Sequence, residues 1–232
     1  MTGIVRNIFF AVAFTIVFAA AGTPDANGQG VLREILNRMD AHNRALTSIK
    51  ADITMVKTNS QLGESDTSIG VTNYLPKTTK GVMYVRLDWT KPVEERMLVA
   101  GDRYQLFRPR LNQVIEGKVD QAKNKGAAGG ALAFMSMSKA QLQANYKVNF
   151  LGEEAVSGGT KTWRLELIPL NRTSYKAAEL WVDGNGMPVQ AKVTEHNNDS
   201  TTVLLSNIQK NITISAKVFD LNLPKNVKRV EG

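Results

Sequence analysis

Ile49-Lys50-Ala51-Asp52-Ile53-Thr54-Met55 decides the fold class. Ile49, Ala51, Ile53 and Met55 take one parity of the run and Lys50, Asp52 and Thr54 the other. Successive side chains of a strand point to opposite faces, so this is a strand with one apolar face and one wet one. The same period recurs downstream in short runs at residues 69–75, 82–89, 96–99 and 104–107, separated by turn-prone or Pro-containing segments. In the second of these Met83, Val85, Leu87 and Trp89 share one side. Strands resume at residues 146–151, 162–168, 178–182, 189–194 and 202–208, and Asp183-Gly184-Asn185-Gly186 is a hairpin turn because Gly and Asn accept positive φ.

Upstream of Ile49 the period is different. Val31, Leu32, Ile35, Leu36, Met39 and Leu46 fall at three- and four-residue spacing, which predicts an amphipathic helix whose single apolar face needs a partner surface. Residues 117–130, with Lys118, Lys123, Lys125 and a Gly/Ala-rich end, show no regular apolar pattern and read as a loop. Residues 131–144 read as a second helix carrying Leu132, Phe134, Met135, Met137 and Leu142. About ten or eleven short strands and only two helices predict a mainly β (α+β) fold, an open and strongly curved antiparallel half-barrel covered by the helices.

The N-terminus has the layout of a secretory signal: Arg6, an apolar run over residues 8–21, and Ala19-Ala20-Ala21 at its end. Residues 1–21 are therefore expected to be removed as a signal peptide, leaving 22–232 as a single domain. About 210 residues bury enough core without disulfides, and the absence of cysteine from an exported chain favours a bacterial periplasm. The net charge of +8 suits anionic lipid head groups or an acidic partner better than nucleic acid in that compartment. Catalytic chemistry finds little to use. His42 and His196 are the only histidines, and Ser136-Met137-Ser138-Lys139 matches a Ser-x-x-Lys pattern without its Ser-Asp-Asn and Lys-Thr-Gly companions. A non-enzymatic protein with no metal and no cofactor is expected.

Four blocks occur in a fixed order. The first is Leu87-Asp88-Trp89 with Lys91-Pro92, then Met97-Leu98-Val99-Ala100-Gly101-Asp102 and Tyr104 to Pro109. Leu165-Glu166-Leu167-Ile168-Pro169 follows, then Ala178-Glu179-Leu180-Trp181-Val182-Asp183 with Gly186-Met187-Pro188. The last is Leu205-Ser206-Asn207-Ile208 with Asn211, Phe219 and Leu223-Pro224. In this order the chain resembles the periplasmic outer-membrane lipoprotein carriers, the LolA-like proteins, over roughly residues 31–230.

The resemblance implies a half-barrel lidded by helices, whose cavity takes the acyl chains of a lipoprotein or other envelope lipid through the periplasm towards the outer membrane. An inner-membrane transporter would donate the cargo and an outer-membrane acceptor receive it, with the carrier a monomer. Met39, Ile53, Met55, Met83, Val85, Leu87 and Trp89 are then expected to line the cavity, and Leu132, Phe134, Met135 and Met137 to form the lid. Methionine suits the role because its unbranched thioether adapts to ligand shape. In one respect the chain departs from the family, whose best-known carriers place an Arg beside a Pro on an early strand, reaching towards the lid. Tyr74-Leu75-Pro76-Lys77 offers none, which leaves Lys77, Lys80 or Arg86 as substitutes. The alternative function is a non-transporting lipid-sensing or envelope-stress binding module of the same fold.

Overall fold

A computed structural model of the chain describes residues 25–76, 81–119, 135 and 137–232. A long helix, α1 (Asp25–Ala45), precedes six strands: β1 (Ile49–Asn59), β2 (Glu64–Leu75), β3 (Tyr84–Lys91), β4 (Glu95–Ala100), β5 (Arg103–Arg108) and β6 (Gln113–Lys118). A short helix, α2 (Lys139–Asn145), leads into β7 (Tyr146–Ala155), β8 (Lys161–Pro169), β9 (Tyr175–Asp183), β10 (Pro188–Glu195) and β11 (Ser200–Lys210). A C-terminal stretch containing a 3-10 turn (Ala216–Phe219) ends in β12 (Lys228–Glu231).

All twelve strands form one sheet in the order β12-β6-β5-β4-β3-β2-β1-β11-β10-β9-β8-β7. Neighbours are antiparallel except β12, which joins β6 in parallel. The two edge strands do not pair, so the sheet is the open half-barrel that the strand pattern predicts. β6 and β12 are additions to the strands legible in the sequence, and the segment expected to loop from Gly117 begins as β6. The sheet has two blocks, β1–β6 and β7–β11, sewn together by β1 and β11 through pairs such as Ile53 with Leu205 and Met55 with Val203.

Cross-strand partners share a face, so the register fixes what lies inside. In the C-terminal block the inner face carries Leu165, Leu167, Ala178, Leu180, Val182, Ala191 and Val203, all buried in one core with Ile35, Leu36 and Met39 of α1 and Leu142 of α2. The outer face of that block is wet and charged, with Arg164 between Glu154 and Glu179 and its guanidinium 5.2 Å from the Trp181 ring centre. Several polar contacts seat α1. Arg38 donates to the Gly184 carbonyl at 2.9 Å and stands 5.3 Å from the Trp163 ring centre. Asn43 donates to the Met137 carbonyl at 3.0 Å, and Lys139 to Asn37 at 2.8 Å.

The N-terminal block is covered on the other side. Leu98, Phe107 and Val114 point outward and are buried with Leu221 beneath the C-terminal stretch, which also contributes Phe219, Leu223 and Val227. Arg86 ties that stretch down: it pairs with Asp88 at 2.9 Å and donates to the carbonyls of Val218 at 2.7 Å and Asp220 at 2.6 Å.

The expected helix over residues 131–144 does not run unbroken: Met135 is helical, Met137 and Ser138 are not, and α2 begins at Lys139. Ser138 is the N-cap of α2, its hydroxyl accepting from the Gln141 N–H at 3.2 Å while the Gln141 side chain accepts from the Ser138 N–H at 2.8 Å. Such a reciprocal box satisfies two amides that the first helical turn leaves unpaired. Met137 therefore precedes the helix instead of lying on its face.

Candidate functional site

Three rows of side chains cross the inner face of the N-terminal block. The middle row runs Ala51, Thr72, Leu87, Met97, Leu106, Ile115 and Val230 through successive partners. A second runs Ile49, Tyr74, Val85, Val99, Tyr104 and Gly117. The third, nearest the turns that follow β3 and β5, carries Ile53, Gly70, Trp89 and Glu95, and there Glu95 accepts from Arg108 at 2.9 Å. From β3 to β6 these rows form an apolar trough with one ion pair at its turn end.

The trough is not sealed as the rest of the core is. Val85, Trp89, Met97, Val99, Tyr104, Leu106 and Ile115 are all half-buried, whereas Leu98, Phe107 and Val114 on the opposite face of the same strands are buried. Tyr104 lies over Gly117, where a Cβ would stand 2.8 Å from its ring, so the floor is smooth at that position. Burial raises the proton affinity of the Tyr74 hydroxyl beside the trough, keeping it neutral.

Of the side chains named from sequence, Met39, Ile53, Met55 and Leu87 are buried in the main core, and Trp89, Met135 and Met137 pack partly buried against it. Val85 faces the trough, and Met83 sits just before β3, its carbonyl accepting from the Gly101 N–H at 2.9 Å. Leu132 and Phe134 lie outside the described residues. Met97, Val99, Tyr104, Leu106 and Ile115 escaped the sequence reading. The alternation that names four of them stands in the runs at 96–99 and 104–107, but nothing local says which parity faces inward.

Arg86 is no gate: it points outward, and its guanidinium is committed to Asp88 and the C-terminal stretch. Lys77 and Lys80 lie outside the described residues. A cleft of about 460 Å³ is lined by Arg86, Asp88, Trp89, Thr90, Glu94 and Arg96. Its charges are matched within it, Arg86 to Asp88 and Arg96 to Glu94, which suits it poorly to an apolar ligand. Among the described residues no three His, Asp or Glu side chains gather as a metal site, and no helix is long and apolar enough to cross a membrane.

An unclosed antiparallel half-barrel with helices on its concave face and an apolar trough in one half is the architecture of lipoprotein-sorting proteins. The chain belongs to the family described as outer membrane lipoprotein carrier protein LolA, whose model matches residues 79–222. Proteins of that family are periplasmic. Solved structures share the fold. An uncharacterized conserved protein from Thermus thermophilus is 14% identical with a TM-score of 0.55, the match covering 87% of this chain and 99% of that one. MucB is 17% identical with a TM-score of 0.54 over 86% of this chain and 63% of that one. MucB in complex with MucA(peri) gives 16%, 0.50, 81% and 58%. This chain thus spans less than two thirds of MucB. A search of curated protein sequences gives no match.

Proposed function

We propose that this protein is a periplasmic lipid-binding carrier that shields acyl chains of a lipoprotein or lipid in the trough over β3–β6 during transfer towards the outer membrane. The observation that carries the reading is that Val85, Trp89, Met97, Val99, Tyr104, Leu106 and Ile115 of the inner rows are half-buried, while Leu98, Phe107 and Val114 on the opposite face of the same strands are buried. An apolar surface left part-covered inside a concave sheet is the ordinary mark of a binding groove. Export with loss of residues 1–21 belongs to this reading, and the intact mass of periplasmic material checks it.

Burying a methylene contributes roughly 0.8 kcal/mol, so complete enclosure of a sixteen-carbon chain would approach ~12 kcal/mol before costs. A carrier that bound so tightly could not unload. A trough covered on one side holds a chain partially, and release then needs only an acceptor of higher affinity. No catalytic step enters. The second reading, a binding module that does not transport, draws on the anchoring of α1: Met39 is buried in the core and Arg38 is bonded to the Gly184 carbonyl, so the helix is packed as core. Transfer of a fluorescent lipid between donor and acceptor vesicles separates carriage from simple binding.

Replacing Val99 and Leu106 with serine tests the site itself. Both are partly buried, so stability should fall by roughly 2 kcal/mol and the sheet should remain folded. Affinity for a fluorescent fatty acid should fall at least about tenfold, since two apolar contacts are removed. Unchanged affinity in a well-folded double variant would remove the trough from the mechanism.

A further inference from the structure

Antiparallel pairing puts alternate turns at alternate ends of a sheet, and one end here gathers the turns after β1, β3, β5, β8 and β10. Large exposed apolar side chains concentrate in them: Leu62 at 68% exposure, Val93 at 40%, Leu111 at 64% and Leu170 at 59%. Their surroundings differ in charge. Leu62 is followed by Glu64 and Asp66, and the neighbouring turn after β10 holds Glu195 and Asp199. Leu111 instead sits among Arg110, Lys225 and Lys228, with Lys91 and Val93 on the adjacent turn.

The Leu111 corner is built. Pro109–Leu111 forms a 3-10 turn closed by Asn112, whose φ is 45° and whose N–H returns to the Pro109 carbonyl at 3.0 Å. The Asn112 side chain donates to the Asn226 carbonyl at 3.1 Å, and the Lys228 N–H donates to the Asn112 carbonyl at 2.9 Å. These bonds bring the turn at residues 224–228 alongside and hold Leu111 outward. Arg110, Lys91, Lys225 and Lys228 are exposed, and among the described residues no carboxylate pairs with any of them. The acids of the adjacent turn, Glu94 and Glu95, are already taken by Arg96 at 2.6 Å and Arg108 at 2.9 Å. The corner is thus a net-positive projection with an apolar apex.

We propose that this corner docks the protein on an anionic lipid bilayer, with Leu111 entering the boundary between head groups and acyl chains and Arg110, Lys91, Lys225 and Lys228 meeting lipid phosphates. A corner whose exposed apolar side chains are Leu111 and Val93 buries too little area to hold a folded protein partner, for which about 800 Å² per side is usual. A fluid bilayer accepts one protruding apolar side chain, and clustered cations add to the attraction. The same end of the sheet carries the Glu95–Arg108 end of the trough, so docking would bring the trough to the membrane. The proposal stands whatever the trough holds.

Co-sedimentation of the mature full chain with vesicles tests it, using phosphatidylcholine alone and phosphatidylcholine mixed with phosphatidylglycerol. Binding is expected only to the mixed vesicles and should weaken steeply with added salt. Leu111→Ser should reduce it about tenfold, and Arg110→Glu with Lys225→Glu should abolish it. Leu62→Ser, the more exposed leucine on the acidic turn, should bind as the unaltered protein does. Equal binding to both vesicle types, no binding, or an equal loss in Leu62→Ser would each overturn the proposal, as would retention of an acidic polypeptide such as polyglutamate in place of vesicles. Fatty-acid binding by the same variants in vesicle-free solution should be unchanged, which keeps this result separate from the fate of the trough.

Discussion

At Gly186 two constraints meet. Its φ is 84°, and an added Cβ would lie 2.3 Å from backbone atoms of Arg38 on α1. Gly186→Ala should therefore cost at least about 2 kcal/mol, read as a lowered melting temperature, because neither the backbone strain nor the helix can relax locally. Gly184→Ala, where nothing lies within 4 Å of the added Cβ, should change little. The turn itself is plain in Asp183-Gly184-Asn185-Gly186, but its contact with α1 is not, since Arg38 and Gly184 are 146 residues apart. His42, on the same helix, gives a pH effect. Burial first, and then the charge of Lys210, lower the proton affinity of its imidazole, with Asp183 opposing. As pH falls through the ordinary value of about 6.5 the unfolded chain takes up the proton before the folded one, so stability declines from there down to the folded pKa and no further below it. Above about 6.5 both states are neutral and the contribution is complete. His42→Asn should flatten that part of the melting-temperature profile; an unaltered slope would assign it to other groups.

Single elements show where sequence patterns carry and where they fail. β1 is legible because one of its faces is wet, which is the condition for alternation. In β6, Val114 and Ile115 are neighbours in sequence, one packed outward beneath the C-terminal stretch and the other facing the trough. With apolar surroundings on both sides no period survives. β12 offers only Val230 among Lys228, Arg229 and Glu231, and exists by pairing with a strand more than a hundred residues earlier. The start of α2 is written as Ser138-x-x-Gln141, a signal that outranks the apolar spacing which extends the helix back through Met137. Ser138→Ala should cost about 1 kcal/mol, measurable by chemical denaturation. Arg86→Met should release the stretch around the 3-10 turn at Ala216–Phe219 and leave Asp88 unpaired, at roughly 2 kcal/mol. Hydrogen exchange confined to residues 216–223 is the check, and global loss of protection would mean that the stretch holds more than its own block.

Across the whole molecule, each block is closed by the other's tail. α1 precedes the N-terminal block but seals the inner face of the C-terminal one, while the stretch after β11 seals the outer face of the N-terminal block and adds β12 to its edge. Fragments divided between β6 and β7 should each be unfolded alone and recover strand content, by circular dichroism, when mixed. This exchange also explains why the site is only half legible in the sequence. The apolar stripe of β3 looks the same as that of β8, and the length of α1, which decides where its cover stops, cannot be matched to a stripe without the fold. Met39, Ile53 and Met55 thus group with Val85 and Trp89 on chemistry alone.

The crossed arrangement has a consequence for how the chain is made. A polypeptide appears from its first residue to its last, and this one makes Leu221 and β12, the pieces that finish β4–β6, only after the other eleven strands. Until then Leu98, Phe107 and Val114 lack the cover that Leu221 gives them in the finished fold. In a chain made in order, that outer face is therefore the last part of the sheet to be covered.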